Sequence, residues 1–397
     1  MTSAKRWLLP DGVEEILPLE ASKLEYLRRQ LLDLYESWGY QLVITPLIEY
    51  LDSLLVGSSH DLDLHTFKIT DQLSGRMMGI RADITPQAAR IDAHCLNRDG
   101  PVRLCYADNV LHTKPRGLLA SRVPIRVGAE LYGHAGVECD IELICLMYAT
   151  LNAAAIDDVY IVLGHVGIFR ALVKEAAIDS DTEAKLFDAV QRKAYDEIDA
   201  VLNASVEDAS LNAMLKQLTR LSGDESVLQE ALSVFENASN AVMKVLLELV
   251  LIVEGVKQRH PEMNMCFDLC ELRGYEYHTG IVFAAYTPNY GRAVAKGGRY
   301  DHIGEVFGRS RPASGFDSDL KTIARLSSKT FTQKKTIVAP SGNEVELLDA
   351  IAKLRADGEI VIINLLASEL AAEELQDLNC DRQLQLVDGK WTVENLT

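Results

Sequence analysis

Residues 271–286 read ELRGYEYHTGIVFAAY, and residues 295–308 read AKGGRYDHIGEVFG. In the first stretch a permanently charged side chain, Arg273, follows an apolar run and is trailed by Tyr275, Tyr277 and His278. A guanidinium presents a planar fork of N–H donors that matches a carboxylate two-pronged. In the second stretch Gly297 and Gly298 have no Cβ, so the backbone can turn sharply or approach a ligand closely. Read locally, each feature has an ordinary alternative. Arg273 fits a structural ion pair, GRAVAKGGRYD at 291–301 fits a Gly-Gly turn, and Tyr275 and Tyr277 fit one face of a strand. The ordered combination, about twenty residues apart, points instead to a site for a small ligand.

Outward from these stretches, helix and strand signals alternate irregularly. Leu24, Leu27, Leu31 and Leu34 recur at helical spacing, so 19–37 reads as an amphipathic helix. QLVITPLIEY, 41–50, reads as a strand that Pro46 confines to an edge or an interruption. HTFKITDQLSGRMMGIRADITP, 65–86, reads as a hairpin turning near Ser74-Gly75, then a helix beginning near Pro86 that Asp83 and Thr85 can cap. Extended segments at 102–106 and 125–132, a helix at 141–154 and a buried strand at 159–163 follow. From 170 to 259 the chain is rich in Ala, Leu, Glu and Asp and lacks proline, which reads as a helical insertion. Strand signals resume at 265–272 and 281–286. After residue 335, TIVAP, a helix over 347–356 and EIVIINLL make a small α/β unit. The expected fold is α+β, a mostly antiparallel sheet flanked by helices. Its expected domains are a core of 1–169 and 260–330, an insertion of 170–259 and a C-terminal domain of 331–397.

Hydrophobic residues make up 48% of the 397, ample for sizeable cores. No apolar run approaches the ~20 residues of a membrane span. The N-terminal stretch carries Asp11, Glu14 and Glu15 where a leader peptide would be apolar, so a cytoplasmic protein is expected. Asp and Glu number 58 against 40 Lys and Arg, and the resulting charge of −18 repels a phosphate backbone. Arg116, Arg122 and Arg126 cluster in sequence without forming a basic run. Seven cysteines read as free thiols, and Cys266 and Cys270 lack the second pair or spaced histidine that a zinc set requires.

Three stretches resemble the class II aminoacyl-tRNA synthetases, and the histidyl enzymes in particular. GYQLVITPLIEY resembles their first motif, a dimer-interface element. ELRGYEYHTGIVFAAY resembles the histidyl family's arginine-containing signature, and AKGGRYDHIGEVFG its glycine-rich partner loop. GAELYGHAGVECDIELI, 128–144, is similar to the strand and helix that follow the second motif. The likeness spans roughly 5–325 and implies a class II synthetase-like fold with a histidine-type pocket. A free amino acid needs a partner for its carboxylate, for which Arg273 is the candidate. It needs an acid for its ammonium, for which Asp83, Glu130 and the hydroxyl of Thr85 are candidates. Arg126, Tyr275, Tyr277 and His278 complete the expected histidine site, the last two beside Glu130 at the imidazole.

The same resemblance exposes what is missing. Activation of an amino acid by ATP concentrates negative charge at the α-phosphorus, and fixed cations must meet it. The second motif's Phe-Arg-x-Glu falls on Leu111-His112-Thr113-Lys114, and the third motif's Gly-Leu-Glu-Arg falls on Asp319-Leu320-Lys321-Thr322. An imidazole and a hydroxyl stand where two guanidinium groups belong, and Asp317 and Asp319 add negative charge. Each lost donor of this kind costs ~3–4 kcal/mol of barrier. Only a slip in alignment that brought in Arg116 or Lys321 would compensate. Residues 331–397 hold twelve acidic and six basic side chains, a poor surface for RNA. The pattern therefore resembles the regulatory subunits of short-form ATP phosphoribosyltransferase. That resemblance implies no catalysis and no cofactor, a homodimer bound to the catalytic subunit, activation of that subunit, and feedback by histidine. It implies neither nucleic-acid nor membrane partners. The rival readings are a divergent histidyl-tRNA synthetase and another histidine-binding sensor.

Overall fold

In IRVGAELY successive side chains point to opposite faces of a strand, and that alternation organises the larger part of the molecule. Val127, Ala129 and Leu131 turn into a helix-covered apolar core, while Arg126, Gly128 and Glu130 turn to the other face. The computed structural model describes residues 7–55, 60–115, 117, 120–366 and 370–396, without the side chains of His60 and Asp61. The chain separates into two units, Met1–Lys329 and Thr330–Thr397.

The larger unit is built on a nine-stranded sheet. Its order across is Gln41–Leu42, Val102–Asn109, Ile125–Tyr132, Ala313–Asp319, Tyr290–Arg299, Ile281–Thr287, Tyr160–His165, Asn264–Asp268 and Ser222–Gly223. The first pair and the Tyr160–His165/Asn264–Asp268 pair are parallel, and the others antiparallel. Helix Pro18–Ser37 buries Leu24, Leu27, Leu31 and Tyr35, the stripe expected from its leucine spacing. Helix Val137–Ala153 is apolar nearly all round and is accordingly enclosed, with Asn240–Arg259 packed against it. Between Tyr160–His165 and Asn264–Asp268 lie six helices, from Val166–Glu175 to Asn240–Arg259.

QLVITPLIEY divides at Pro46 into Gln41–Leu42 at the sheet edge and Ile48–Tyr50 in a separate three-stranded sheet with Met77–Ile80 and Phe67–Thr70. The latter two form the expected hairpin, with Gly75 at φ +73° in its turn. The helix at Pro86 is Thr85–Arg90, continued with wider turns through Ile91–Leu96.

Three expectations fail. Gly297-Gly298 is not a turn, because both residues lie in the continuous strand Tyr290–Arg299, and the hairpin instead closes at Thr287↔Tyr290 around Pro288-Asn289. The strand expected over 265–272 stops at Asp268. Tyr275 and Tyr277 sit in a turn and do not share a strand face. Gly274, at φ +66°, reverses the chain between them and the strand.

The smaller unit is a four-stranded sheet ordered Ile360–Ile363, Thr336–Ala339, Cys380–Val387, Lys390–Asn395, antiparallel only at the last pair. Helix Val345–Ala356 supplies Leu347 and Ile351 to a core with Ile337, Ala339, Val361 and Leu384.

Candidate functional site

The sheet face turned away from the helices carries a cross-strand row in register: Gly164, Val282, Gly298, Gly315 and Glu130. The glycines of this row make space. A Cβ on Gly315 would stand 1.8 Å from Glu130 Oε2 and 2.3 Å from the Tyr300 hydroxyl, and one on Gly298 would stand 2.7 Å from His278 Nδ1. The next row is Val162, Ala284, Lys296, Asp317, Gly128 and Tyr106. Above these rows lies a pocket of about 260 Å³. Asp83, Thr85 and Pro86 wall one side, the Glu271–His278 turn another, and Tyr300 with Ile303 a third.

Buried arginines fix these elements. Arg81 reaches Asp108 at 2.8 Å, the Asn109 carbonyl at 2.8 Å and the Thr45 carbonyl at 2.7 Å, holding the segment that ends in Asp83. Arg299 donates to Asp140 Oδ2 from Nη2 at 2.7 Å, and Ser314 donates to Asp140 Oδ1 at 2.6 Å, joining two floor strands to helix Val137–Ala153. Arg311 meets Asp92 at 2.8 Å. Every one of these charges is paired.

The pocket is different. Glu130 is fully buried, and its Oε1 accepts from Thr85 Oγ1 at 2.8 Å and from the Tyr106 hydroxyl at 3.0 Å. Its Oε2 has no hydrogen-bond partner, and neither does the Tyr300 hydroxyl or Asp317 Oδ1. Burial raises the Glu130 carboxyl well above the usual carboxylate range, against the pull of those two hydrogen bonds. Each unsatisfied buried group costs about 1–3 kcal/mol, which a ligand carrying N–H donors or positive charge would recover. Burial pushes His278 down to about 4, so it is neutral near pH 7. Its Nδ1 faces the Arg299 carbonyl at 3.3 Å, which assigns the proton to Nδ1 and leaves Nε2 as acceptor. Arg273 pairs through Nη2 with Glu271 at 2.6 Å and the Tyr286 hydroxyl at 2.7 Å, and its side chain is half exposed at the rim.

Of the eight residues expected from the sequence, Asp83, Thr85, Glu130, Arg273, Tyr277 and His278 converge on the pocket. The expected helix cap does not form, because the N-cap is Ile84 without a side-chain bond; Asp83 Oδ1 instead accepts the Thr85 N–H at 3.1 Å. Arg126 shares the sheet face of Glu130 but is not among the lining residues, its Nη1 3.6 Å from Asp317 Oδ2. Tyr275 turns away from the pocket and donates its hydroxyl to Glu183 at 2.7 Å. Sequence reasoning missed Glu271, Lys296, Tyr300 and Gly315 as pocket residues, and Tyr106 as a donor to Glu130. Period-two alternation in VRLCYADN and ASGFDSD was the available signal for Tyr106 and Gly315.

The positions where class II activation needs guanidinium groups lie outside the pocket lining. His112 is buried with Nε2 3.0 Å from the Ala82 carbonyl. Thr322 donates to Asp319 Oδ2 at 3.2 Å, and Asp319 caps helix Leu320–Leu326. Lys321 reaches Glu14 at 3.0 Å, Lys114 is exposed, and Arg116 lies outside the described residues. Asp83, Glu130, Glu271 and Asp317 line the pocket beside only Arg273 and Lys296 among the described basic side chains. That balance suits a cation or a zwitterion rather than a triphosphate. Among the described residues no helix is long and apolar enough to cross a membrane, and no cluster of three metal-ligating side chains occurs.

Known proteins match this chain along its whole length. Residues 12–323 match the family described as histidyl-tRNA synthetase, and residues 334–394 match the ATP phosphoribosyltransferase subunit HisZ C-terminal domain. An ATP phosphoribosyltransferase regulatory subunit of Ectopseudomonas mendocina is 52% identical over 397 residues, covering 100% of both chains. That of Thioalkalivibrio sulfidiphilus is 51% identical with the same coverage. A solved structure from Bacillus halodurans, an ATP phosphoribosyltransferase regulatory subunit/histidyl-tRNA synthetase, superposes with TM-score 0.84 at 25% identity, covering 96% of this chain and 99% of that one. Histidyl-tRNA synthetase from Nostoc sp. shares the fold at TM-score 0.77 and 19% identity, covering 98% and 97%.

Proposed function

Because the chain belongs to the ATP phosphoribosyltransferase regulatory subunits, we propose that it exerts control by holding free histidine in the pocket above the glycine row. Its part in histidine biosynthesis is regulatory, not catalytic. The observation that carries the ligand reading is the set of buried acceptors, Glu130 Oε2 and Asp317 Oδ1, with the Tyr300 hydroxyl, all without hydrogen-bond partners on residues that line a cavity of amino-acid size. In this reading the ligand's carboxylate meets Arg273 at the rim and its ammonium meets Asp83 and Thr85. Its imidazole lies among Glu130, Tyr277 and His278, with Arg126 holding Asp317 from the neighbouring strand.

The partner is the short-form catalytic subunit, which this chain activates and through which histidine feeds back. Histidine acts only if it binds the active and inhibited assemblies unequally. A coupling of about 1–3 kcal/mol, ~5–150-fold, is the usual scale. A two-fold homodimer through the 41–50 segment fits the exposure of Leu42 at 51% and Ile44 at 82%. Residues 170–259 act as an inserted helical domain and 331–397 as a separate terminal one.

Reconstitution with the short catalytic subunit, assayed with and without histidine, tests the whole reading. Activation that histidine suppresses is expected, and absence of a complex sinks it. Pyrophosphate exchange driven by ATP and histidine should stay at background, and robust exchange would return the chain to the synthetases.

A further inference from the structure

The turn that supplies the pocket with Arg273, Gly274, Tyr277 and His278 has a second face, and that face is held by the helical segment. Arg170, in helix Val166–Glu175, donates from Nη2 to the Tyr275 carbonyl at 2.8 Å and the His278 carbonyl at 3.1 Å. Its guanidinium carbon also stands 4.7 Å from the Tyr275 ring centre. The same ring contacts Phe169 edge-on at 5.5 Å and Phe187 at 5.6 Å. The Tyr275 hydroxyl reaches Glu183 of helix Ser180–Gln191 at 2.7 Å. The approach to the turn is held the same way. Lys193 pairs with Asp268 at 2.6 Å, Leu269 donates its N–H to the Leu221 carbonyl at 3.1 Å, and Ser222–Gly223 extends the sheet beside Asn264–Asp268.

Ligand side chains therefore alternate along this stretch with anchors into another element. Arg273 and Tyr277 face the pocket, and Tyr275 between them faces the helices. A ligand that draws Arg273 or His278 inward must shift or stiffen the carbonyls that Arg170 holds, because close-packed contacts transmit displacement. Two sites are coupled when one element with two arrangements is biased by both, and this turn, contacted by the pocket on one face and the helices on the other, is placed to be such an element.

We propose that Tyr275 is a positioning residue that ties the ligand pocket to the helical segment, so that filling the pocket with a zwitterionic amino acid is read out at helix Ser180–Gln191. The proposal rests on the amino-acid reading of the pocket. It makes the Arg170–Tyr275–Glu183 cluster the transmitting element and the surface of the first helices its output. Tyr275→Phe keeps the ring contacts and removes the hydroxyl bond to Glu183, and Glu183→Gln weakens the same bond from the other side.

Hydrogen–deuterium exchange on the full chain, with and without L-histidine, tests it. Wild type should show ligand protection at both 271–280 and 180–191. In Tyr275→Phe and Glu183→Gln, calorimetric affinity should hold within about threefold while protection of 180–191 falls by half or more. In complex with the catalytic subunit, the factor by which saturating histidine changes activity should fall about fivefold, the lower end of usual couplings. Undiminished protection at 180–191 in both variants overturns the proposal. A ligand-free comparison separates this from failure of the pocket reading. Exchange in 271–280 and 180–191 should rise together in Tyr275→Phe even without histidine. If wild type binds no histidine, the pocket reading falls. The joint rise then still supports a turn coupled to the helices, and unchanged exchange there rejects it.

Discussion

Two groups of buried charge sit on the same sheet and behave in opposite ways. Around Arg299, Asp140 and Ser314, and again at Arg311 and Asp92, each guanidinium and carboxylate is matched by a partner in the chain. Around Glu130, Tyr300 and Asp317, one polar atom on each residue lacks a hydrogen bond. The two groups adjoin in sequence: Arg299 precedes Tyr300, Ser314 precedes Gly315, and strand alternation sends neighbours to opposite faces. Self-satisfied charge locks strands to a helix and contributes to one defined arrangement. Unsatisfied buried polar atoms cost the fold stability and are relieved by something from outside the chain. Substitutions in the first group should therefore act on folding, and in the second on ligand affinity.

The largest effect is expected where a satisfied pair is cut. Asp140→Ala removes the buried carboxylate shared by Arg299 and Ser314 and leaves the guanidinium, among the described carboxylates, only that of Asp301 at 3.3 Å, a loss of about 3–5 kcal/mol. At ~1.4 °C per kcal/mol for a unit the size of Met1–Lys329, the unfolding midpoint should drop by about 4–7 °C. Calorimetry or circular dichroism melts would show it, and a shift under 2 °C would mean that the pair carries no structural weight. Next comes Gly315→Ala, whose added methyl occupies the place of Glu130 Oε2. Glu130 must then rotate off Thr85 and Tyr106, and histidine affinity should fall by roughly 100-fold or more, the equivalent of about 2.7 kcal/mol. Retained affinity would remove the pocket from this row of glycines.

The contrast also explains what could be read from sequence. Arg273, Tyr277 and His278 lie in one continuous stretch, and Asp83 and Thr85 flank a visible helix start, so local pattern found them. Glu130 was found as a candidate acid in GAELYG, and Arg126 entered through the family resemblance. The fold was legible because leucine spacing at 24–31 and strand alternation at 125–132 reflect burial directly. Gly297-Gly298 misled because glycine has two uses. Without a register, a position that needs φ > 0 cannot be told from one where a Cβ would strike Phe283 or His278. The Arg299–Asp140 pairing spans 159 residues and leaves no local trace. Tyr275 was drawn toward the pocket by its neighbours, and only the turn at Gly274 separates it from them.

Glu130→Gln sharpens the comparison by moving affinity and stability in opposite directions. Loss of a charge-assisted acceptor should weaken histidine binding by ~10–150-fold, from about 1.5–3 kcal/mol. Stability should move the other way. The folded-state carboxyl titrates above its unfolded value because it is buried. The stability it contributes is complete below the unfolded value and is lost as pH rises through the folded one. Glutamine has no such loss, so the melting difference, variant minus wild type, should grow more positive from pH 4.5 to pH 8. A difference that is flat or falls with pH would show that Glu130 is already compensated within the chain and belongs with the satisfied group.

The smallest expected effect tests whether the unsatisfied group is aimed or merely buried. Thr85→Val removes one of two donors to Glu130 Oε1 and leaves the Tyr106 hydroxyl in place at 3.0 Å. The ligand is proposed to meet Oε2 with its imidazole and Thr85 with its ammonium, so the variant touches the carboxylate's orientation and one ammonium contact. One neutral hydrogen bond is worth about 0.5–1.5 kcal/mol, so affinity should fall only ~2–12-fold, less than for Glu130→Gln. Combined in one chain, the two changes should cost less than the sum of their separate effects, because Thr85 has no charge left to orient once position 130 is an amide. Full additivity in calorimetric titrations would mean that Thr85 serves the ammonium alone and orients nothing at Glu130, so that Asp83 and Thr85 form a separate end of the pocket.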